Sequence, residues 1–196
     1  ATCRRLGANV LLDGETFEEA RQRATDIASG DGLRLIHGFD DAEIIAGQGT
    51  AAVEILDDVP DADAIVVPTG GAGLLAGVAV AAKARRPDIQ IIAVEAAAAA
   101  SFTASLAAGK PVDVPVRPIL ADGLAVGRVG DRAFALAAPR VDRVQTVDER
   151  ELSLAVLRLL ELEKTSCEGA GAAALAALMG EAGQELKGRK VVLLLC

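Results

Sequence analysis

The sequence predicts an α/β fold built on parallel strands, and three observations carry the prediction. Residues 64–95 read as strand, helix, strand: an apolar run from Ala64 to Val67 breaks at Thr69-Gly70-Gly71-Ala72-Gly73-Leu74, a small-residue helix runs to about Arg86 where Pro87 closes it, and a second apolar run covers Ile89 to Glu95. Two parallel strands need such a crossover. Capping boxes at Thr16-Phe17-Glu18-Glu19 and Asp148-Glu149-Arg150-Glu151 mark two further helix starts. Finally, 196 residues at 52% hydrophobic are enough for one domain core and an appended piece of a second, and aromatics at 2%, without Trp or Tyr, make that core aliphatic and alanine-rich.

The remaining elements follow in order. Thr2 to Leu6 reads as the end of a helix and Asn9 to Leu12 as a short strand; the first capping box opens a helix to about Ser29, stopped by Gly30-Asp31-Gly32. Leu33 to Ile36 is another strand, and Ala42 to Leu56 is helical around an interruption at Gly47-Gln48-Gly49. The alanines 96–100 lie where a strand-to-helix turn belongs, and 109–120, with Pro111, Pro115 and Pro118, form a crossing segment. Val141 to Val147 is extended, the second capping box leads a helix to about Glu163, Ala170 to Met179 is helical, and Val191 to Cys196 is a buried-type strand. No internal repeat is present. Both ends look cut, since a buried parallel strand needs neighbours on both edges.

Composition excludes several classes. A formal charge of −8 argues against nucleic-acid and anionic-membrane partners, which demand a basic face. There is no signal-peptide pattern and no apolar run of bilayer length, so a soluble cytoplasmic protein is expected. Cys3, Cys167 and Cys196 are an odd set without metal-ligand spacing, and they suggest neither a disulfide framework nor a zinc site.

The glycine loop carries the chemistry. Glycines let the backbone turn sharply and converge several N–H groups on one anion, while the following helix adds its unpaired amides and its positive dipole end. A phosphate is the expected guest; a tight turn with no ligand is the alternative reading. Leu74 after Gly73 rules out a Walker loop, which ends in Gly-Lys-Ser/Thr. The dinucleotide fingerprint is also poor: Gly71, Gly73 and Ala76 fit, but the only acidic residue about 20 positions on is Glu95.

Six ordered segments extend this reading: Leu6-Gly7-Ala8, His37-Gly38-Phe39-Asp40-Asp41, Ile45-Ala46-Gly47-Gln48-Gly49-Thr50, the glycine loop, Ala121-Asp122-Gly123-Leu124-Ala125-Val126 and Glu168-Gly169-Ala170-Gly171-Ala172-Ala173. With them the chain, nearly end to end, resembles the threonine dehydratase and serine racemase family of fold-type-II pyridoxal-phosphate enzymes. The resemblance implies an open, mostly parallel twisted sheet with helices on both faces, tryptophan synthase β-like and incomplete here. Residues 1–40 would be the remainder of a small domain and 41–196 the C-terminal part of the large cofactor-binding domain.

The resemblance also implies roles. The amides of Gly70, Gly71, Ala72, Gly73 and Leu74 would hold the phosphate of pyridoxal 5'-phosphate. The family usually has glycine where Ala72 stands; if that position needs positive φ, alanine costs about 1 kcal/mol. Cys196 falls where the family has Ser or Cys beside the pyridine nitrogen, a neutral partner that hydrogen-bonds without protonating it; an ordinary buried strand cysteine is the alternative. Glu168 resembles the glutamate at the ring edge, although its local sequence by itself favours a helix N-cap. Glu95, with the Ala99 carbonyl, matches a divalent-cation site of some relatives, but Ser101 stands where those have a carboxylate, leaving the set one hard oxygen short. His37 reads as a structural hydrogen-bonder rather than a general base, and Asp122-Gly123 as a turn.

None of Lys83, Lys110, Lys164, Lys187 and Lys190 matches the cofactor-linking motif, so no catalytic residue is carried over and this chain alone is expected to be inactive. The implied activity of the intact enzyme is α,β-elimination of L-threonine or L-serine to a 2-oxo acid and ammonia, by a homo-oligomer acting on a small amino acid. The alternatives are a serine or aspartate racemase of the same family, a non-catalytic α/β fragment or binding module, and a nucleotide-binding Rossmann domain.

Overall fold

In a computed structural model the chain is described over residues 2–15 and 17–196. It divides into two compact units, one ending at His37 and the other beginning at Gly38.

The first unit holds α1 (Thr2–Arg5) and α2 (Phe17–Gly30). Thr16, the expected first residue of the capping box, lies outside the described residues; Glu19 accepts from the Glu15 N–H at 2.7 Å. At the other end, Leu33 N–H reaches back to the Ala28 carbonyl at 2.8 Å, with Gly32 between them at φ 65. This 6→1 bond around a left-handed glycine closes the helix, as Gly30-Asp31-Gly32 predicts. The two strands expected at Asn9–Leu12 and Leu33–Ile36 are not formed: both segments are irregular, with Leu12 87% and Leu33 60% exposed. A strand exists through the ladder of a neighbour, and among the described residues neither four-residue run has one.

The second unit runs α3 (Ala42–Asp58), β1 (Ala64–Pro68), α4 (Gly73–Arg85), β2 (Gln90–Ala96), a 3-10 turn at Ala97–Ala99, α5 (Ser101–Ala108), a 3-10 turn at Asp122–Leu124, α6 (Asp131–Ala137), β3 (Arg143–Val147), α7 (Glu149–Leu162), α8 (Gly169–Met179), α9 (Glu181–Glu185) and β4 (Val191–Leu193). The strands form one four-stranded parallel sheet in the order β3-β2-β1-β4. Alternation along the strands divides the core in two. Ile65, Val67, Ile91 and Ala93 pack on one face with Ile45, Leu56, Leu75 and Phe134, whereas Val66, Ile92 and Val94 pack on the other with Leu152, Leu159, Ala173 and Ala177. Helices therefore cover both faces, and β1 is buried at every position, which explains its unbroken apolar sequence.

Small residues set how closely the layers approach. α3 runs without a break through Gly47-Gln48-Gly49, against the expected interruption. The glycines serve the helix crossing instead: a Cβ at Gly49 would sit 3.0 Å from the Gly77 carbonyl, and one at Gly77 would strike the Ile45 carbonyl and lie 2.6 Å from the Gly49 nitrogen. Phe102 and Phe134 meet edge to face, centroids 5.8 Å apart, and supply the bulk that alanines cannot. The capping box at α7 is complete, with Glu151 N–H on Asp148 at 2.8 Å and Asp148 N–H on Glu151 at 2.7 Å. β4 departs from the buried-type strand expected of Val191–Cys196: it is half-buried, hydrogen-bonded to β1, and Leu195 and Cys196 beyond it are exposed. No described helix is long and apolar enough to cross a membrane.

Candidate functional site

The glycine loop leaves the carboxyl end of β1. Thr69 keeps the strand's geometry for one more residue, its N–H on the Val94 carbonyl at 2.7 Å and its hydroxyl on the Val67 carbonyl at 3.0 Å. The chain then turns through Gly70 and Gly71, and α4 starts at Gly73. Ala72, the N-cap, has φ 69 and ψ 7, the left-handed conformation that a glycine would occupy without strain. It has no side chain able to cap, and the first intrahelical bond is Ala76 N–H to the Ala72 carbonyl at 2.9 Å. The amides of the first turn thus precede the helical ladder, and they lie at the positive end of α4.

The turn is glycine-lined because backbone and ring press on it. A Cβ at Gly71 would collide with the Phe39 ring, one at Gly73 with the Phe39 carbonyl, and one at Gly70 would lie 3.2 Å from the Gly123 carbonyl and the Leu124 Cα. A cradle of this kind, with uncapped helix amides and no side chain projecting from three of its residues, fits a phosphate dianion without needing a lysine.

The other expected residues converge on the same end of the sheet. Gly123 backs onto Gly70 and faces Glu168, whose Oε1 would be 3.5 Å from a Cβ at Gly123. Glu168 is the N-cap of α8 by position, but its carboxylate makes no capping hydrogen bond. The local reading as a cap therefore does not describe it. One turn along α8, a Cβ at Gly171 would meet the Cys196 carbonyl and lie 2.6 Å from the Cys167 Sγ. Gly70, Glu168 and Cys196 are in this way linked through the α8 N-terminus. Desolvation, then Cys167, then the negative charge of Glu168 push the Cys196 thiol up; desolvation and Glu168 do the same to Cys167. Both thiols stay protonated at neutral pH. All three cysteines are free. Asp122 accepts from the Gly123 N–H at 2.9 Å, a turn contact, and His37 ends the first unit.

The cation site weighed at Glu95 and Ala99 gains no support from the geometry, because the Glu95 oxygens are engaged elsewhere. Glu95 is fully buried, and its carboxylate takes the Phe102 N–H at 2.6 Å, the Thr103 N–H at 2.8 Å and the Thr103 hydroxyl at 2.6 Å. Its oxygens cap α5, whose own N-cap, Ala100, has no side chain for the task. Ser101 is buried too, with an Oγ that finds no hydrogen-bond partner, and no cluster of three or more potential metal ligands occurs among the described residues. Sequence reasoning missed this cap because the five alanines before Ser101 carry no capping signal.

It also missed a support behind the loop. Asp40 Oδ1 accepts the Ala133 N–H at 2.8 Å, and Gly130 N–H donates to the Gly71 carbonyl at 3.2 Å. Phe39 and Asp40 stood in a recognised segment, yet nothing in their spacing announces a partner some ninety residues away.

A family profile described as pyridoxal-phosphate dependent enzyme matches residues 1–196. An L-threonine ammonia-lyase of Thermotoga maritima is 42% identical over 192 residues, covering 98% of this chain and 47% of that protein. Among solved structures, processed threonine deaminase isoform 2 of Solanum lycopersicum superposes with a TM-score of 0.92 at 36% identity, over 98% of this chain and 56% of that one. Maize serine racemase gives a TM-score of 0.89 at 32% identity, over 97% and 59%. The chain spans about half the length of the relatives it matches.

Proposed function

Because the chain belongs to the family of pyridoxal-phosphate dependent enzymes, we propose that the whole protein is an ammonia-lyase converting L-threonine or L-serine to the corresponding 2-oxo acid and ammonia. The observation that carries this reading is the uncapped, glycine-lined turn between β1 and α4, and the similarity to a threonine ammonia-lyase and a threonine deaminase over nearly the whole chain supports the substrate class. The first unit is then the remainder of a small domain and the second the C-terminal part of the large one.

Bound pyridoxal phosphate supplies the electron sink that lets the α-hydrogen of an amino acid leave as a proton and its β-hydroxyl depart. This chain's residues hold and tune the group. The amides of Gly70, Gly71, Ala72, Gly73 and Leu74, with the positive end of α4, would neutralise the phosphate. The Cys196 thiol would hydrogen-bond the pyridine nitrogen without charging the ring, and Glu168 would line the ring edge. We assign the cofactor-linking lysine to the part of the whole protein outside residues 1–196.

The whole protein, supplied with pyridoxal phosphate and L-threonine, is expected to release 2-oxo acid and ammonia in equal amounts. Formation of D-serine from L-serine without a 2-oxo acid would overturn elimination in favour of the racemase reading, which the likeness to maize serine racemase keeps in view. Gly71→Val is expected to weaken pyridoxal-phosphate binding at least tenfold, about 1.4 kcal/mol. Unchanged affinity would remove the loop from the cofactor site.

A further inference from the structure

Behind the glycine turn, two hydrogen bonds and two close contacts converge from parts of the chain far apart in sequence. Asp40 Oδ1 accepts the Ala133 N–H, the third amide of α6, at 2.8 Å. The N-cap of that helix, Gly130, has no side chain, and a Cβ there would collide with Asp40 Oδ1. Gly130 has ordinary extended dihedrals, φ −64 and ψ 142, so glycine is required there for space and not for conformation. Asp40 is in effect the capping side chain of α6, delivered from the segment before α3. Gly130 N–H in turn donates to the Gly71 carbonyl at 3.2 Å. The Phe39 ring, next to Asp40, fills the space that a Cβ at Gly71 would need.

We propose that Asp40 is a positioning residue for the phosphate cradle: by capping α6 it holds Gly130 against the Gly71 carbonyl and so sets the orientation of the Gly71–Ala72 peptide. The inference rests on the cofactor reading above. The peptide is planar and trans, so a carbonyl turned toward α6 points the Ala72 N–H the opposite way, out of the loop's supported side. Ala72 is in a left-handed conformation that its Cβ disfavours, so the turn needs such an external hold to keep its amides in line. The hold comes from the Oδ1 acceptor, which reaches an N-terminal amide of α6 that has no partner within the helix.

The test uses the whole protein and three variants, Asp40→Ala, Asp40→Asn and Gly130→Ala, each read by the dissociation constant of pyridoxal phosphate, the 31P resonance of the bound phosphate and the melting temperature of the apo form. Asp40→Ala is expected to weaken cofactor binding about tenfold and to shift the 31P resonance. Asp40→Asn, which keeps the Oδ1 acceptor, is expected to stay within about threefold of the parent and to keep its resonance. Gly130→Ala pushes on the same contact from the other side and is expected to reproduce Asp40→Ala, which keeps the inference testable should that variant not fold. A lowered melting temperature with the dissociation constant and 31P resonance unchanged would reduce Asp40 to a helix cap and overturn the proposal, as would an Asn variant as weak as the Ala one. A parent protein that does not bind pyridoxal phosphate would overturn the function proposed above, and this inference with it.

Discussion

Glu95 shows how one side chain can belong to a different function from the one its position suggests. Burial pushes its carboxyl above the ordinary value of 4.5, and the hydrogen bonds from Thr103 and Phe102 oppose that shift without cancelling it. A group whose native pKa is raised binds its proton more tightly folded than unfolded. Its contribution to stability is therefore fully present below the unfolded value and is lost as pH rises through the native one. Glu95→Gln removes that titration. The variant's melting temperature relative to the parent is expected to be more favourable at pH 8 than at pH 4.5; a difference that does not vary with pH would show that Glu95 titrates as in water. Deleting the side chain altogether leaves the buried Phe102 amide unsatisfied, at about 1–3 kcal/mol, whereas Thr103 is exposed and its amide can turn to water.

At the scale of elements, the α3–α4 crossing depends on glycines in both helices. Neither helix has aromatic bulk to hold it off, so the backbones meet where Gly49 faces Gly77. Gly77→Ala forces a methyl into the Ile45 carbonyl and is expected to cost about 1–3 kcal/mol in urea unfolding. Gly47 lies in the same α3, and a Cβ there meets nothing within 4 Å; Gly47→Ala is expected to stabilise by about 0.5–1 kcal/mol through helix propensity. Equal effects from the two substitutions would mean that the crossing is looser than described. The turn from β1 into α4 depends on the same economy of side chains, since Gly71 and Gly73 admit Phe39 where any Cβ would exclude it.

Across the whole molecule, protection is expected to follow the sheet. β1 is hydrogen-bonded on both edges, to β2 and β4, and β2 to β1 and β3, and both lie between covering helices. Their amides, residues 64–68 and 90–96, are expected to exchange slowest in native-state hydrogen exchange, and those of residues 8–14 in the first unit fastest, because that segment is irregular and exposed. Comparable protection in the two would show that 8–14 is paired after all.

Local chemistry determined much of this protein without help from tertiary structure. Continuous apolar runs marked β1 and β2, a capping box marked the start of α7, Gly30-Asp31-Gly32 the end of α2, and the glycine loop the strand-to-helix turn. Each of those signals lies within a few residues of the feature it specifies. Tertiary structure decided the rest. Asn9–Leu12 and Leu33–Ile36 have strand-like composition and no ladder, because pairing is settled by distant neighbours and not by a run's own residues. Glu95 caps α5, and Asp40 caps α6 across 93 positions, because a side-chain cap needs only to arrive within hydrogen-bond distance and sequence order does not record who arrives. For the same reason the neighbourhoods of Gly70, Glu168 and Cys196 come to one end of the sheet only once its parallel strands carry their carboxyl ends there.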